Sequence, residues 1–533
     1  MSITTDRPAA EAAPKSSKSV TAGGLTIKLV LVGIIDALLI WMLAQALADG
    51  WTLAVGFFVL TLLAVNLVYF TKGLPMKYLL PGLVFLLVFQ VYTIVLTGQS
   101  SLTNYGTGNL GDKESAINAL VIRGERPIET SADYPVVPIE SGGTVSMLVT
   151  FPEGTPTAGT TSIGTIDGLT PVAPTDLVLT GDRVTGVNGY TSLNLGTLTG
   201  NADLNTQWSE LRVPLNLETG TFLSQSGVSE AREVRAGFVY DAEADTLTDV
   251  NTGTLYTPND TGNFESADGQ VLQPGWKVFI GMENYTSIFQ NPQIRDRFLP
   301  ITIWTFFFAF MTVFTTFALG LLLAVVMTDR RMKGMKYYRV LLILPYAMPI
   351  FLTAPLWRGM LNTDFGLINQ MLPGDAINWL GEANLARLSV LVVNLWIAYP
   401  YFFLICTGAL TAIPADLKEA AFVDGASGWH AFRTIVLPLL MISTAPLLIA
   451  SFTFNFNNYT LIEMLTGGGP FPGQISDGGS TDLLINWTYR MAFNQTNQRL
   501  GLASAIALII FIVVGTISAF SFRYTKKLEE IGA

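Results

Sequence analysis

Residues 411–440 read TAIPADLKEAAFVDGASGWHAFRTIVLPLL and lie between two long apolar runs, so they form a structured loop at one face of a membrane. Pro414 opens the segment, and Asp416 follows where a first helical turn presents the positive end of its backbone dipole. Glu419, Ala420 and Ala421 then give a compact helical surface that another protein could approach closely. Gly425, between Asp424 and Ala426, permits a turn that side chains resist. Beyond it Trp429, Phe432, Ile435 and Val436 recur at helical spacing, and Pro438 marks the expected start of the next apolar run. Two uses fit this pattern: an amphipathic pair lying on lipid headgroups, or a helix pair gripped by another protein.

Composition points the same way. Of 533 residues, half are hydrophobic and 13% are charged, and the mean hydropathy is positive, which indicates a polytopic membrane protein rather than a soluble enzyme. The formal charge of −10 is uneven: residues 98–300 hold 24 acidic and 10 basic side chains, leaving +4 for the remainder. The acidity therefore belongs to one soluble insert. Nothing in this balance suggests nucleic acid. One cysteine, Cys406, and one histidine, His430, rule out an intrachain disulfide and a Cys/His zinc cluster.

Residues 1–24 are expected to be a disordered tail. Apolar runs at 25–47, 51–70 and 79–97 each approach the roughly 20 residues a crossing needs. Residues 98–276 change to Gly, Thr, Asp and short β-type segments, such as Ser146–Phe151 and Ala236–Tyr240 separated by turn clusters. They are read as a mainly-β domain, with a sandwich as the expected form. A linker at 277–299, carrying Gly281-Met282-Glu283-Asn284-Tyr285, leads to five further runs within 300–522: 300–327, 340–357, 388–413, 437–464 and 500–520. A short tail, 523–533, closes the chain. The fold class is thus an α-helical polytopic membrane protein with about 8 transmembrane helices and an inserted, mainly-β, extracytoplasmic domain.

Eight crossings place both termini on one side. Lys and Arg in the short loops, with Lys28 at the start of the first run, number 16 on the side holding the termini and the 411–440 loop, and 4 on the other. The positive-inside rule makes the first side cytoplasmic. The acidic insert is then outside, and the protein is a multi-pass cell-membrane protein with cytoplasmic ends.

Amides inside the apolar runs are the next signal. Asn394 lies in one, and Asn455, Asn457 and Asn458 in another, where a polar side chain is costly unless it meets a partner or a wet cavity. On helical geometry Asn394, Ile397, Ala398 and Tyr401 share a face, as do Phe454, Asn455 and Asn458. Amides beside aromatic rings suit the hydroxyls and apolar face of a sugar, while interhelical hydrogen bonding is the competing use. Pro345, Pro349 and Pro400 weaken the neighbouring helices, as fixed kinks or as hinges.

The order and spacing Glu419-Ala420-Ala421, Gly425, Ile435, Leu437-Pro438, placed between two spans, resembles the EAA motif of ABC-importer permeases. That resemblance implies that Glu419, Ala420, Ala421, Asp424, Gly425, Ala426 and Phe432 belong to a coupling helix region that docks on a cytoplasmic ATPase dimer. Leu344-Pro-Tyr-Ala347, Phe454-Asn-Phe-Asn-Asn458, Gly467-Gly-Gly-Pro470, Thr481-Asp-Leu-Leu-Ile-Asn-Trp-Thr-Tyr489 and the long insert further resemble the larger, MalF-type permeases of maltose/maltodextrin importers. What this implies is a second permease subunit, an extracytoplasmic sugar-binding protein, and a sugar site at Tyr346, Ile350, Asn394, Ile397, Ala398, Tyr401, Phe454 and Asn455. Ile350 stands where that family usually has a small hydroxyl residue, and Ala398 where glycine is usual, which bears on the identity of the sugar.

The chain carries no Walker A pattern, so it is expected to be a transport subunit rather than an enzyme, with ATP and magnesium on a partner and no cofactor or metal of its own. The alternative is a membrane-anchored receptor or assembly factor with an external β domain. It would need neither deep amides nor the 411–440 pattern.

Overall fold

The computed structural model describes residues 22–532 except 72–73, 129–130, 154, 156–158, 182, 217–220, 329–332, 474–477 and 495–497. The expected tail up to residue 21, Lys72, Arg330 and Arg331 therefore lie outside the described residues. Two compact units divide at residues 97 and 98.

Among the described residues seven helices are long and apolar enough to cross a membrane: Thr26–Ala48, Thr52–Phe70, Pro75–Ser101, Pro292–Val326, Ala383–Ala412, Gly428–Phe456 and Leu500–Arg523. A bent pair, Met335–Ala347 and Ile350–Met360, makes an eighth if counted as one crossing; its two arms meet at 94°. We number these spans one to eight in chain order, the bent pair being span five.

In the first unit Val32, Val65, Val68 and Leu80 pack together, and Asn66 donates to the Asp36 carboxylate at 2.9 Å. That bond gives two polar groups within the apolar spans a partner.

Three boundaries differ from the expected ones, each for a local reason. Span four begins at Pro292, not at residue 300, because Asn291 caps the backbone N–H of Gln293 at 3.0 Å and Pro292 needs no acceptor in the first turn. Span five is broken rather than continuous. Met348, forced out of helical geometry by the following proline, is extended (φ −90°, ψ 124°), and Pro349 starts the second arm. Span seven ends at Phe456, so Asn457 and Asn458 do not lie within it as expected: Asn458 instead accepts from Leu461 N and caps a short helix, Tyr459–Leu465.

The insert is a curled sheet rather than the expected sandwich. Strands Tyr134–Ser141, Thr144–Thr150, Thr161–Thr165 and Gly168–Pro171 make one antiparallel meander, and Arg212–Asn216, Thr221–Gln225 and Glu230–Arg235 another. They join where Ala231 pairs with Tyr134. The far ends of this continuous sheet pack against each other. Val136, Met147, Val149, Val213, Leu223 and Ala231 fill the inside, with Trp208 of helix Ala202–Glu210 as a lid. A separate four-stranded meander, from Phe238–Asp241 to Phe264–Ser266, packs on helix Lys113–Gly124 around Leu120, Leu247, Phe264 and Trp276.

The linker motif has a structural task. Asn284 donates to the carbonyls of Ser101 and Thr103, each at 2.8 Å, and the Tyr285 hydroxyl bonds to Ser101 Oγ at 2.7 Å. These contacts tie the entry to span four onto Ser101 and Thr103, within the second unit.

Candidate functional site

The 411–440 loop folds as two helices around one glycine. Ala415–Val423 forms the first, and Gly425 follows with φ +81°, a left-handed conformation that L side chains resist. Ser427 then caps the next helix by accepting from His430 N at 3.3 Å. That helix does not stop at Pro438, as expected. A wide turn over Phe432–Val436, with Leu437 N donating to Phe432 O, carries it directly into Leu437–Phe456. Residues Gly428–Phe456 are thus one helical rod of 29 residues.

Side chains around the turn divide by direction. Glu419, Ala420, Asp424 and Gly425 are exposed, Ala421 is buried and Ala426 is half-buried. Phe432 packs with Leu410, Val436 and Leu440, whereas Trp429 is 70% exposed with its ring stacked on Phe432 at 5.7 Å. Ala421, Asp424, Gly425, Ala426, Ser427 and His430 line an open groove of about 620 Å³. Among the described residues no ion pair holds Glu419 or Asp424. The seven residues expected to couple therefore lie together on one solvent-facing feature, with Ala421 and Phe432 as its packing base.

The eight residues expected to hold a sugar fall into smaller groups. Tyr346, beside the break in span five, stacks on Tyr401 of span six with centroids 6.3 Å apart. Asn394 of span six donates to Asn455 Oδ1 of span seven at 3.3 Å, and Asn455 donates to Ser451 O at 2.8 Å. Both amides are almost fully buried, at 2% and 4% exposure. Here they join two helices, the competing use for such residues. Ile350 and Ile397 border the apolar cluster of Ala354, Val390 and Val393, Ala398 is half-buried, and Phe454 is 69% exposed.

A second cluster escaped sequence reasoning. At the other end of span seven, Asp482 is fully buried and receives the Arg490 guanidinium through both oxygens, at 2.6 and 3.0 Å. Gly479 N donates to the same carboxylate, and Arg490 also reaches Gly467 O and the Phe471 ring. Trp304 of span four donates to Thr481 O at 3.2 Å, Leu484 N donates to Thr305 Oγ1 at 3.0 Å, and Arg387 of span six donates to Ser480 O at 2.8 Å. The loop after Leu465 thereby clasps spans four and six. The available signal was a single acid and a single base bracketing the apolar residues 483–489.

Fold and loop together define a multi-span membrane protein with an exposed helix–glycine–helix turn between two spans. Residues 316–527 match the family described as binding-protein-dependent transport system inner membrane component, and residues 84–162 match the N-terminal region of transmembrane subunits in binding-protein-dependent ABC transporters. A maltose/maltodextrin transport system permease protein MalF from Vibrio vulnificus is 34% identical over 89% of this chain and 89% of its own. The corresponding protein from Klebsiella aerogenes is 44% identical over 53% of this chain and 57% of its own. Among solved structures, a chain of a bacterial ABC transporter involved in alginate import aligns at TM-score 0.41 and 22% identity, covering 46% of this chain and 84% of that one. The chain belongs to the MalF-type family of ABC-importer permeases. It is a multi-pass inner-membrane transport subunit, and the ATPase of such importers is a separate subunit.

Proposed function

We propose that this chain forms part of the membrane path for maltose, maltodextrin or a closely related oligosaccharide, with both termini in the cytoplasm and the β insert outside. An ATPase dimer seats on the groove around Glu419–Gly425, a second permease subunit completes the path, and an extracytoplasmic sugar-binding protein delivers cargo to the insert side. The observation that carries this reading is the continuous helix Gly428–Phe456. At 1.5 Å per residue it is about 43 Å long, and it joins the groove to Asn455 as one helix that continues through the wide turn at Phe432–Val436 and past Pro446. A push on the loop therefore moves span seven as a body.

In the sugar site Tyr346 and Tyr401 supply stacking faces, and Asn394 and Asn455 supply amides. While no sugar is bound the amides satisfy one another, so neither is left unpaired in an apolar setting. Sliding span seven against span six breaks that bond and turns both amides toward hydroxyls. Phe454, Ile350, Ile397 and Ala398 complete the wall. The charge asymmetry of the short loops supports the orientation.

The test is a reconstituted assembly carrying Glu419→Lys or, separately, Asn455→Ala with Tyr401→Ala. The first is expected to abolish sugar-stimulated ATP hydrolysis; unchanged hydrolysis rejects the coupling role. The second is expected to lose uptake while basal hydrolysis persists, and normal uptake by that double variant removes the sugar site.

A further inference from the structure

Between spans four and six, near the start of span six, lies a groove of about 570 Å³. Its walls are Pro300, Ile303, Trp304 and Phe307 on one side and Leu388 and Leu391 on the other, with Asn384 and Arg387 as its polar members. Ile303 is 70% exposed and Phe307 and Leu388 are nearly half exposed, so the groove opens to the outside of this chain.

Arg387 is the uncommon member. Its Nε donates to Ser480 O at 2.8 Å and its guanidinium lies 5.1 Å from the Trp304 ring centroid, which fixes its direction. Neither terminal nitrogen has an acceptor, and no carboxylate forms an ion pair with it among the described residues. A cation held near the end of a membrane helix, with open N–H groups beside an apolar trough, lacks an acidic oxygen partner. The planar guanidinium matches a phosphate through two parallel hydrogen bonds.

We propose that this groove binds the anionic headgroup of a phospholipid, its phosphate on Arg387 and an acyl chain along Ile303 and Phe307. A free phosphate would use the cation but leave the trough unfilled, and a neutral sugar would find only Asn384 beside it. The lipid also has a structural consequence. Arg387 already holds Ser480, so an occupied groove stiffens the clasp over spans four and six. Assigning the outer leaflet rests on the proposed orientation; the site itself does not.

The test uses the whole assembly, purified in mild detergent, exposed to equal amounts of phosphatidylglycerol and phosphatidylcholine, and analysed for retained lipid by mass spectrometry. The wild type is expected to retain phosphatidylglycerol roughly fivefold over phosphatidylcholine, the discrimination of one interfacial cation. Arg387→Gln is expected to reduce that ratio to parity, Arg387→Lys to keep part of it, and the exposed-side control Arg358→Gln to leave it unchanged. Leu388→Trp fills the trough while sparing the guanidinium and is expected to remove the bound lipid. An unchanged ratio in Arg387→Gln overturns the proposal, and so does displacement by millimolar inorganic phosphate, which would make this a small-anion site. Should Arg387→Gln fail to assemble, full retention by Leu388→Trp overturns it alone.

Discussion

The two loops that bracket the Gly428–Phe456 helix are built from similar parts: a glycine in left-handed geometry, a carboxylate beside it, and aromatic residues. At one end Gly425 has φ +81° and nothing within 4 Å of where a Cβ would stand, and Asp424 and Glu419 face solvent. At the other Gly468 has φ +84°, a Cβ there would lie 1.9 Å from Asp482 Oδ1, and Asp482 and Arg490 satisfy each other in the interior. One loop leaves its carboxylates in solvent. The other turns its charged pair inward onto its own chain. Under the proposed coupling, a helix moved from its first end needs a defined seat at its second, and the clasped loop is built as one.

Breaking the inner seat should have the largest effect. Asp482→Ala leaves the buried Arg490 guanidinium with only the looser Glu463 carboxylate at 3.6 Å and is expected to cost about 3 kcal/mol, read as a fall in the unfolding temperature of the purified protein. Replacing both partners, Asp482→Leu with Arg490→Met, is expected to recover most of it. If the single variant melts with the wild type, the two loops are not different in kind.

The glycines sharpen the same contrast. Gly425→Ala meets open space, so its expected cost is only the left-handed strain of about 1–2 kcal/mol. Gly468→Ala adds a collision with Asp482 and is expected to destabilise distinctly more. Equal losses would mean that the second loop yields easily and does not seat the helix. Glu419→Lys comes next in size, within about 0.5 kcal/mol of wild type in stability because Glu419 touches nothing buried, while coupled hydrolysis is lost.

The 411–440 loop was legible in the sequence and the loop holding Asp482 and Arg490 was not. Glu419, Ala420, Ala421 and Gly425 are close in sequence, and their order and placement between two apolar runs carry the information. Asp482 and Arg490 are eight residues apart, and their pairing depends on the intervening helix Leu484–Tyr489 folding back against spans four and eight. Apolar length located the spans, but the 94° break needed the actual dihedrals of Met348 and Pro349, because Pro400 sits inside a helix that stays continuous. In the sugar path, spacing identified Asn394 and Asn455 without showing that they bind each other. Strand composition found the β insert, yet the joining of its two meanders into one sheet rests on the Ala231–Tyr134 pairing, which residue type does not encode.

The smallest effect concerns charges that are paired yet exposed, a case between the two loops. In the insert Asp112 caps helix Lys113–Gly124 by accepting from Ser115 N at 2.9 Å, and Asp245 accepts from Lys113 Nζ at 2.6 Å. The Ser115 N–H holds the Asp112 carboxyl below its usual value, and the Lys113 hydrogen bond does the same for Asp245. A carboxyl depressed in the folded state stabilises above its unfolded value, and that contribution is lost as pH falls through the folded value. Packing of this helix on the four-stranded meander should therefore be flat from pH 8 to about 5 and loosen below about 4. Solvent screening keeps the effect small. Hydrogen exchange of the amides of residues 116–124 would report it, measured against pH in the wild type and in Asp112→Asn with Asp245→Asn. Asparagine preserves the cap but cannot titrate, so the double variant should lose the acid-dependent part. The same acid loosening in both would place its origin in other carboxylates of the insert and remove the intermediate case from the comparison.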